Sequence, residues 1–152
     1  MTYWQIASGD GQVDLTDIFL KLNVVLIGPG NHGDFFDHKR DYENLSDGHL
    51  VRIFAEEVEI GDILILKRMV NPNAREWKIL AIGEVKGAYR YEPIFENVDI
   101  DQWQMQHCRR VKWIFIPTTD IVVQGGGAPI RIQRLEDNNP LKIKAVQLLN
   151  NH

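Results

Sequence analysis

The segment DILILKRMVNPNAREWKILAIGEVKGAYRYEP (residues 62–93) predicts the central element of the fold. Two apolar runs rich in Ile and Leu flank VNPNAR, whose Asn and Pro residues favour a turn. The pattern therefore predicts an antiparallel hairpin. Gly83 and Gly87 interrupt its second strand, and glycine inside a strand indicates bulges or sharp bends of the kind that close a small barrel.

The flanking segments add strands and a few helices to this hairpin. Strands are predicted in TYWQIA, NVVLIG and RRVKWIFIP, and helices in VDLTDIFLKL, HLVRIFAEEV and the C-terminal NNPLKIKAVQLLNNH. Mostly antiparallel strands with peripheral helices indicate an α+β fold. We expect these elements to surround a small curved sheet or barrel.

Composition limits the classes of protein to consider. The 152 residues are 44% hydrophobic and 25% charged, which fits one domain spanning 1–152 with its own core. No run is long enough to cross a bilayer, and the N-terminus lacks the regions of a secretory signal, so we expect a cytoplasmic protein without a membrane partner. The net charge is -4, so any contact with phosphates must be local.

The stretch GPGNHG (28–33) follows an apolar run, as a phosphate-binding P-loop would. That motif requires a Lys and then a Ser or Thr after the glycines. Asp34 and Phe35 stand at those positions instead, and an Asp would repel phosphate. We therefore predict neither nucleotide hydrolysis nor tight nucleotide binding.

Five segments in order, YWQIASGDG, VVLIGPG, EIGDILILKR, ILAIGEVKGAYRY and HCRRVKWIFI, resemble an EVE domain. This is a PUA-like fold related to the YTH readers of methylated RNA, and the likeness is greatest to the form fused to McrB-type modification-dependent restriction NTPases. The resemblance covers about residues 2–118 and leaves 119–152 as a C-terminal extension with a short helix. It implies a small curved β-barrel of five or six mainly antiparallel strands flanked by helices, with a pocket at one mouth that accepts a single modified base.

The resemblance also implies which residues form that pocket. They come from the turn after the first strand, the end of the second strand, and the turn after the glycine-interrupted strand. Pro29 stands where relatives commonly have Trp. Carried onto this chain, the base-binding residues are Ser8, Gly9 and Asp10, then Gly28, Pro29, Asn31 and His32, and then Tyr89 and Tyr91.

Further aromatic and basic side chains suit the same task. Tyr89 and Tyr91 would share a face of a strand, and either stack on a base or pack in the core. Trp103 is either a lid over the pocket or a satellite core contact, and Trp113 is the strand tryptophan most open to a base. Arg109 and Arg110 either clamp phosphates beside the pocket or are simply solvated.

The function expected from these features is a non-catalytic reader that binds a modified, flipped nucleobase. DNA is preferred as the partner if the protein serves restriction or phage defence, with a fused or separate NTPase or nuclease for cleavage. The alternatives are a reader of modified RNA and a protein-interaction module. No hydrolase, deaminase or zinc motif is present, and HGDFFDHKRDYE matches no metal site, so we expect no metal or cofactor.

Overall fold

A computed structural model describes residues 1–9, 13–73, 75–97 and 104–151. One turn of π-helix, Ile53–Glu57, continues α3, and one 3₁₀ segment, Pro93–Asn97, follows β5. The strands and helices, in chain order, are β1 Tyr3–Ala7, α1 Thr16–Leu22, β2 Val24–Ile27, α2 Lys39–Glu43, α3 Gly48–Arg52, β3 Ile63–Asn71, β4 Glu76–Val85, β5 Arg90–Tyr91, β6 His107–Phe115, β7 Val122–Gln124, β8 Ile132–Arg134 and α4 Pro140–Asn150.

Six strands form a curled, half-barrel sheet in the order β2-β6-β4-β3-β1-β8, and the four helices flank it. The short strands β5 and β7 pair with β6 and β4 outside this path. The pair β1–β3 is parallel, and the other ladders between named strands are antiparallel. The structure thus confirms the predicted α+β fold with a small curved sheet.

The predicted hairpin consists of β3 and β4, and an irregularity occurs at Gly83, as the sequence predicts. The β4–β6 ladder shifts register between Ile82 and Gly83. A Cβ on Gly83 would lie 2.4 Å from Cγ1 of Val111, so only glycine lets β6 approach this closely. The bulge bends β4, which helps to curl the sheet.

The continuous apolar run in β3 reflects burial on both faces of the sheet. Leu64 and Leu66 pack in one cluster with Phe19 of α1, whereas Ile63 and Ile65 pack in a second cluster that α4 covers. A strand buried on both sides has no polar face, so its sequence does not alternate.

The C-terminal part of the chain contributes more to the sheet than its sequence predicts. β7 and β8 lie beyond residue 118, in the part expected to add only a helix. β8 is only three residues long, but it pairs with β1 and forms one edge of the sheet. No helix in the described parts of the chain has the length and apolarity that crossing a bilayer requires.

Candidate functional site

A cavity of about 750 Å³ opens where the ends of several elements meet. Its walls come from the turn after β1, the second half of β3, the start of α3, and the loop before β8. The lining residues are Ala7, Ser8, Gly9, Asp47, His49, Leu50, Lys67, Arg68, Met69, Pro72, Trp77, Pro129, Ile130 and Arg131. Loops and strand ends placed by a rigid sheet are where binding sites commonly form.

Cations outnumber carboxylates in the cavity wall. Lys67, Arg68 and Arg131 line it, against the single carboxylate of Asp47. Arg131 pairs with Asp47 at 3.0 Å, and Arg68 pairs at 2.5 Å with Asp14, which lies outside the lining. The protein as a whole has a net charge of -4, so this wall differs in sign from the molecule as a whole.

Lys67 is the buried cation of this wall, with only 4% of its surface exposed. Its Nζ donates to the carbonyl oxygens of Ala128 at 2.5 Å and Ile130 at 3.1 Å, and lies 4.7 Å from the centre of the Trp77 ring. No carboxylate in the described parts of the chain lies within ion-pair distance of it. Burial lowers the pKa of Lys67 to about 8.

A tight turn positions Ser8 and Gly9 at the cavity. The Ser8 carbonyl accepts from the Leu15 amide, and its hydroxyl lies 2.7 Å from that of Thr16. Gly9 has φ +152°, and a Cβ there would lie 1.8 Å from the Val13 carbonyl oxygen. Ser8 and Gly9 are the two predicted base-binding residues that line this cavity, while Asp10 lies outside the described residues.

Pro29 and the tyrosines belong to a different assembly, centred on His107, and the buried Gly28 directly precedes Pro29. His107 is fully buried, with its Nε2 2.8 Å from the Pro29 carbonyl and its Nδ1 2.6 Å from the Tyr89 hydroxyl. Tyr91 donates to the Gly30 carbonyl at 2.6 Å. These hydrogen bonds fasten the loop 28–33 to β5 and β6, so GPGNHG is held in place by its carbonyl groups.

The hydrogen bonds around His107 fit one neutral tautomer. Nε2 donates to the Pro29 carbonyl, so Nδ1 is free to accept from the Tyr89 hydroxyl, which in turn accepts from the Phe35 amide. Burial lowers the pKa of His107 to about 4. A proton on Nδ1 would displace the tyrosine donor, so this network requires the uncharged ring.

Of the three predicted segments, the large cavity is therefore lined only by the first, whereas the second and third meet each other around His107. The turn after β1 lines the large cavity, whereas none of residues 28–32 and neither Tyr89 nor Tyr91 does. The side chain of Asn31 is exposed, and the half-buried His32 ring packs edge-on against Tyr42. The two tyrosine hydroxyls bond to His107 and to the Gly30 carbonyl and so help to fix the loop 28–33.

Replacing Tyr91 by Phe is expected to lower the free energy of unfolding by about 1 kcal/mol, since the Gly30 carbonyl loses its donor while the ring is kept. Urea denaturation of the two proteins measures the difference. A variant as stable as the parent would show that this hydrogen bond contributes nothing to holding the loop.

Arg109 and Arg110 have opposite environments. Arg109 is buried, and its guanidinium donates to the carbonyls of Gly87, Phe54 and Val58 at 2.7–3.0 Å, so the prediction that it clamps phosphate is wrong. Arg110 is exposed and lines a smaller cavity of about 330 Å³. Trp113 also lines that cavity, and its indole donates to the Phe19 carbonyl. Trp103 lies outside the described residues.

Sequence reasoning missed the charged residues of the large cavity. One signal was available, because Lys67 and Arg68 directly follow the apolar run ILIL in a strand that is buried on both faces. Arg131 gave no such signal, since it lies in a glycine- and proline-rich stretch that indicates only loops.

Comparison with known proteins identifies a family. No curated protein matches the chain. A hypothetical protein from Leishmania major has a similar structure, with TM-score 0.53, 10% identity, and coverage of 100% of this chain and 98% of that chain. The YTH domain of Zygosaccharomyces rouxii MRB1 protein, solved with N6-methyladenosine RNA, aligns with TM-score 0.46 and 15% identity over 99% of this chain and 85% of that one. Residues 4–149 match the family described as Domain of unknown function (DUF8426), and the chain belongs to that family.

Proposed function

We propose that the protein is a non-catalytic nucleic-acid-binding protein that holds one unstacked nucleobase in the 750 Å³ cavity. The observation that carries this proposal is the excess of cations over carboxylates in the wall of a cavity in an acidic protein. Such a wall attracts an anionic polymer locally, even though the net charge of the protein is negative.

The cavity is large enough to hold one base. Ligand cavities in proteins measure about 300–1,000 Å³, and this one lies within that range. Apolar groups of Leu50, Met69 and Ile130 line it and can cover the flat faces of a base. Contact with these groups would offset the few kcal/mol needed to remove a base from its stack.

The two arginines of the wall are placed to contact phosphates that flank the base. Arg68 and Arg131 are partly exposed, and each pairs with a partly exposed carboxylate. Exposed ion pairs contribute at most about 1 kcal/mol, so an arriving phosphate can replace these carboxylates. A guanidinium also binds phosphate through two parallel hydrogen bonds.

The contacts of the polar lining residues favour binding over catalysis. Ser8, His49 and Asp47 all line the cavity, but the Ser8 hydroxyl pairs with Thr16 and the Asp47 carboxylate with Arg131. Nucleophilic catalysis requires a hydroxyl that is hydrogen-bonded to its base. Any cleavage would then come from another domain or subunit.

The resemblance of five sequence segments to an EVE domain supports a finer form of the proposal. The bound base would carry a modification, and DNA would be the partner if the protein is the recognition module of a restriction or defence system. RNA is the alternative partner. Titrations of matched single-stranded DNA and RNA, with and without modified bases, distinguish these cases.

Replacing Arg131 by Ala is expected to weaken binding of single-stranded oligonucleotides, whereas Arg134→Ala, which removes the same charge three residues away on β8, is not. Loss of one phosphate contact should reduce the slope of log affinity against log salt by about 0.7. Fluorescence anisotropy at several salt concentrations measures both effects.

Two results of this experiment would contradict the proposal. In the first, the Arg131→Ala variant has the same affinity as the parent and the same slope of log affinity against log salt. The other is equal weakening by Arg131→Ala and Arg134→Ala, because it would indicate a diffuse charge effect and not a contact at the cavity.

A further inference from the structure

Lys67 stands apart from the other cations of the cavity because it is buried and lacks a carboxylate partner among the described residues. A buried ammonium group costs stability unless other groups satisfy it. Two loop carbonyls and the Trp77 ring compensate for part of this cost. The backbone also affects the orientation of Lys67, because the β3–β4 ladder shifts register between Leu66 and Lys67.

The two hydrogen bonds of the Lys67 ammonium group use only two of its N–H donors. An ammonium group has three N–H donors, and the carbonyls of Ala128 and Ile130 take two of them. For the third, the described parts of the chain supply no oxygen or nitrogen acceptor. Lys67 lines the cavity, so a ligand inside can supply that acceptor.

The chemistry of the bases decides which acceptor fits best. Guanine, cytosine and thymine or uracil each carry an exocyclic carbonyl oxygen, and lysine contacts guanine through O6 and N7. Adenine has no such oxygen, and its exocyclic amino group is a donor that an ammonium group cannot pair with. Its acceptors are ring nitrogens such as N7, which guanine has as well, so the carbonyl oxygen is the acceptor that distinguishes the two purines.

We propose that Lys67 donates a hydrogen bond to the exocyclic carbonyl oxygen of the bound base, and that the cavity thereby selects guanine and the pyrimidines against adenine. This inference rests on the proposed function, and it names the class of base. Arg68 and Arg131 then hold the flanking phosphates, while Lys67 reads the edge of the base.

The experiment uses short single strands in which one guest base is surrounded by base-free sugar-phosphate units, so that only the guest can enter the cavity. The guests are guanine, 2-aminopurine, thymine, cytosine, adenine and N6-methyladenine. Guanine and 2-aminopurine form the sharpest pair, because 2-aminopurine lacks the carbonyl oxygen at C6. Each strand is titrated with the parent protein, with Lys67→Met, and with Lys144→Met as a control on α4.

The parent and Lys144→Met are expected to bind the guanine strand about 10- to 100-fold more tightly than the 2-aminopurine strand, as for a hydrogen bond to a charged donor. Lys67→Met should bind both strands with the weaker affinity. The combination forms a double-mutant cycle between the side chain and the carbonyl oxygen.

The inference is overturned if the parent binds adenine or N6-methyladenine as tightly as any carbonyl-bearing base, or if Lys67→Met keeps the guanine preference. The guest series on the parent decides the question even if the Lys67 variant does not fold. If no guest binds better than a strand without any base, the proposed function itself fails, and the two failures are distinguishable.

Discussion

Replacing Arg109 by Ala is expected to lower the free energy of unfolding by about 3–5 kcal/mol. The guanidinium donates to the carbonyls of Gly87, Phe54 and Val58. It thereby links the segment after β4 to the π-helical turn and the residue that follows this turn. Its loss leaves these carbonyls without their donor in a buried region, and each hydrogen bond to a charged group contributes about 1.5–3 kcal/mol. Urea denaturation of the variant measures the change.

Arg110→Ala is the matched control, because Arg110 is the next residue of the same strand and is exposed. Its replacement should change the free energy of unfolding by no more than about 0.5 kcal/mol. Equal stability of the two variants would show that the buried guanidinium does not hold the π-helical turn against the sheet.

The free energy of unfolding is expected to fall by about 3 kcal/mol as the pH drops from 6.5 to 4, from the titration of His107 alone. The pKa of His107 is about 4 in the folded protein and 6.5 in an unfolded chain. A folded-state pKa that lies below the unfolded one gives stability that is fully present above pH 6.5 and is lost as the pH falls towards 4. The main reason is that burial disfavours the charged form of the ring. Protonation also breaks the hydrogen bond from Tyr89.

The variant His107→Gln separates this contribution from that of the carboxylates, which also titrate in acid. Across the same pH range, the free energy of unfolding of the variant should fall by about 3 kcal/mol less than that of the parent. This holds whatever the stability of the variant at neutral pH. An NMR titration of the parent offers an independent check, since a His107 ring that titrates near pH 6.5 in the folded protein would contradict the prediction.

Much of the fold could be predicted from local patterns. The apolar run in β3, the turn residues after it and Gly83 in β4 predict a bent hairpin, and the structure has one with a register shift at that glycine. The helical spacing of apolar residues also predicts α1. The strands β7 and β8 were not predicted, because each has only three residues and is too short to show a hydrophobic period. Such strands form because of the neighbours with which they pair.

The candidate site could be predicted only in part. Ser8 and Gly9 do line the large cavity. The turn after β1 requires glycine at position 9, because a Cβ there would collide with the Val13 carbonyl oxygen. The resemblance implies that the tyrosines contact a base, and two rings on one strand face are compatible either with stacking or with core packing. That pattern cannot show whether a hydroxyl is already paired, as those of Tyr89 and Tyr91 are.

By itself the sequence determined the class of the fold, because hydrophobic period, turn residues and strand glycines act over a few residues. Only the tertiary structure decided which charges are buried. Arg109 and Arg110 are adjacent, yet neighbouring strand residues point to opposite faces, and what covers each face comes from distant segments. Lys67 likewise meets the carbonyls of Ala128 and Ile130, about sixty residues away. Such contacts arise from the packing of the whole chain, so no local pattern could assign these residues to the core or to the cavity.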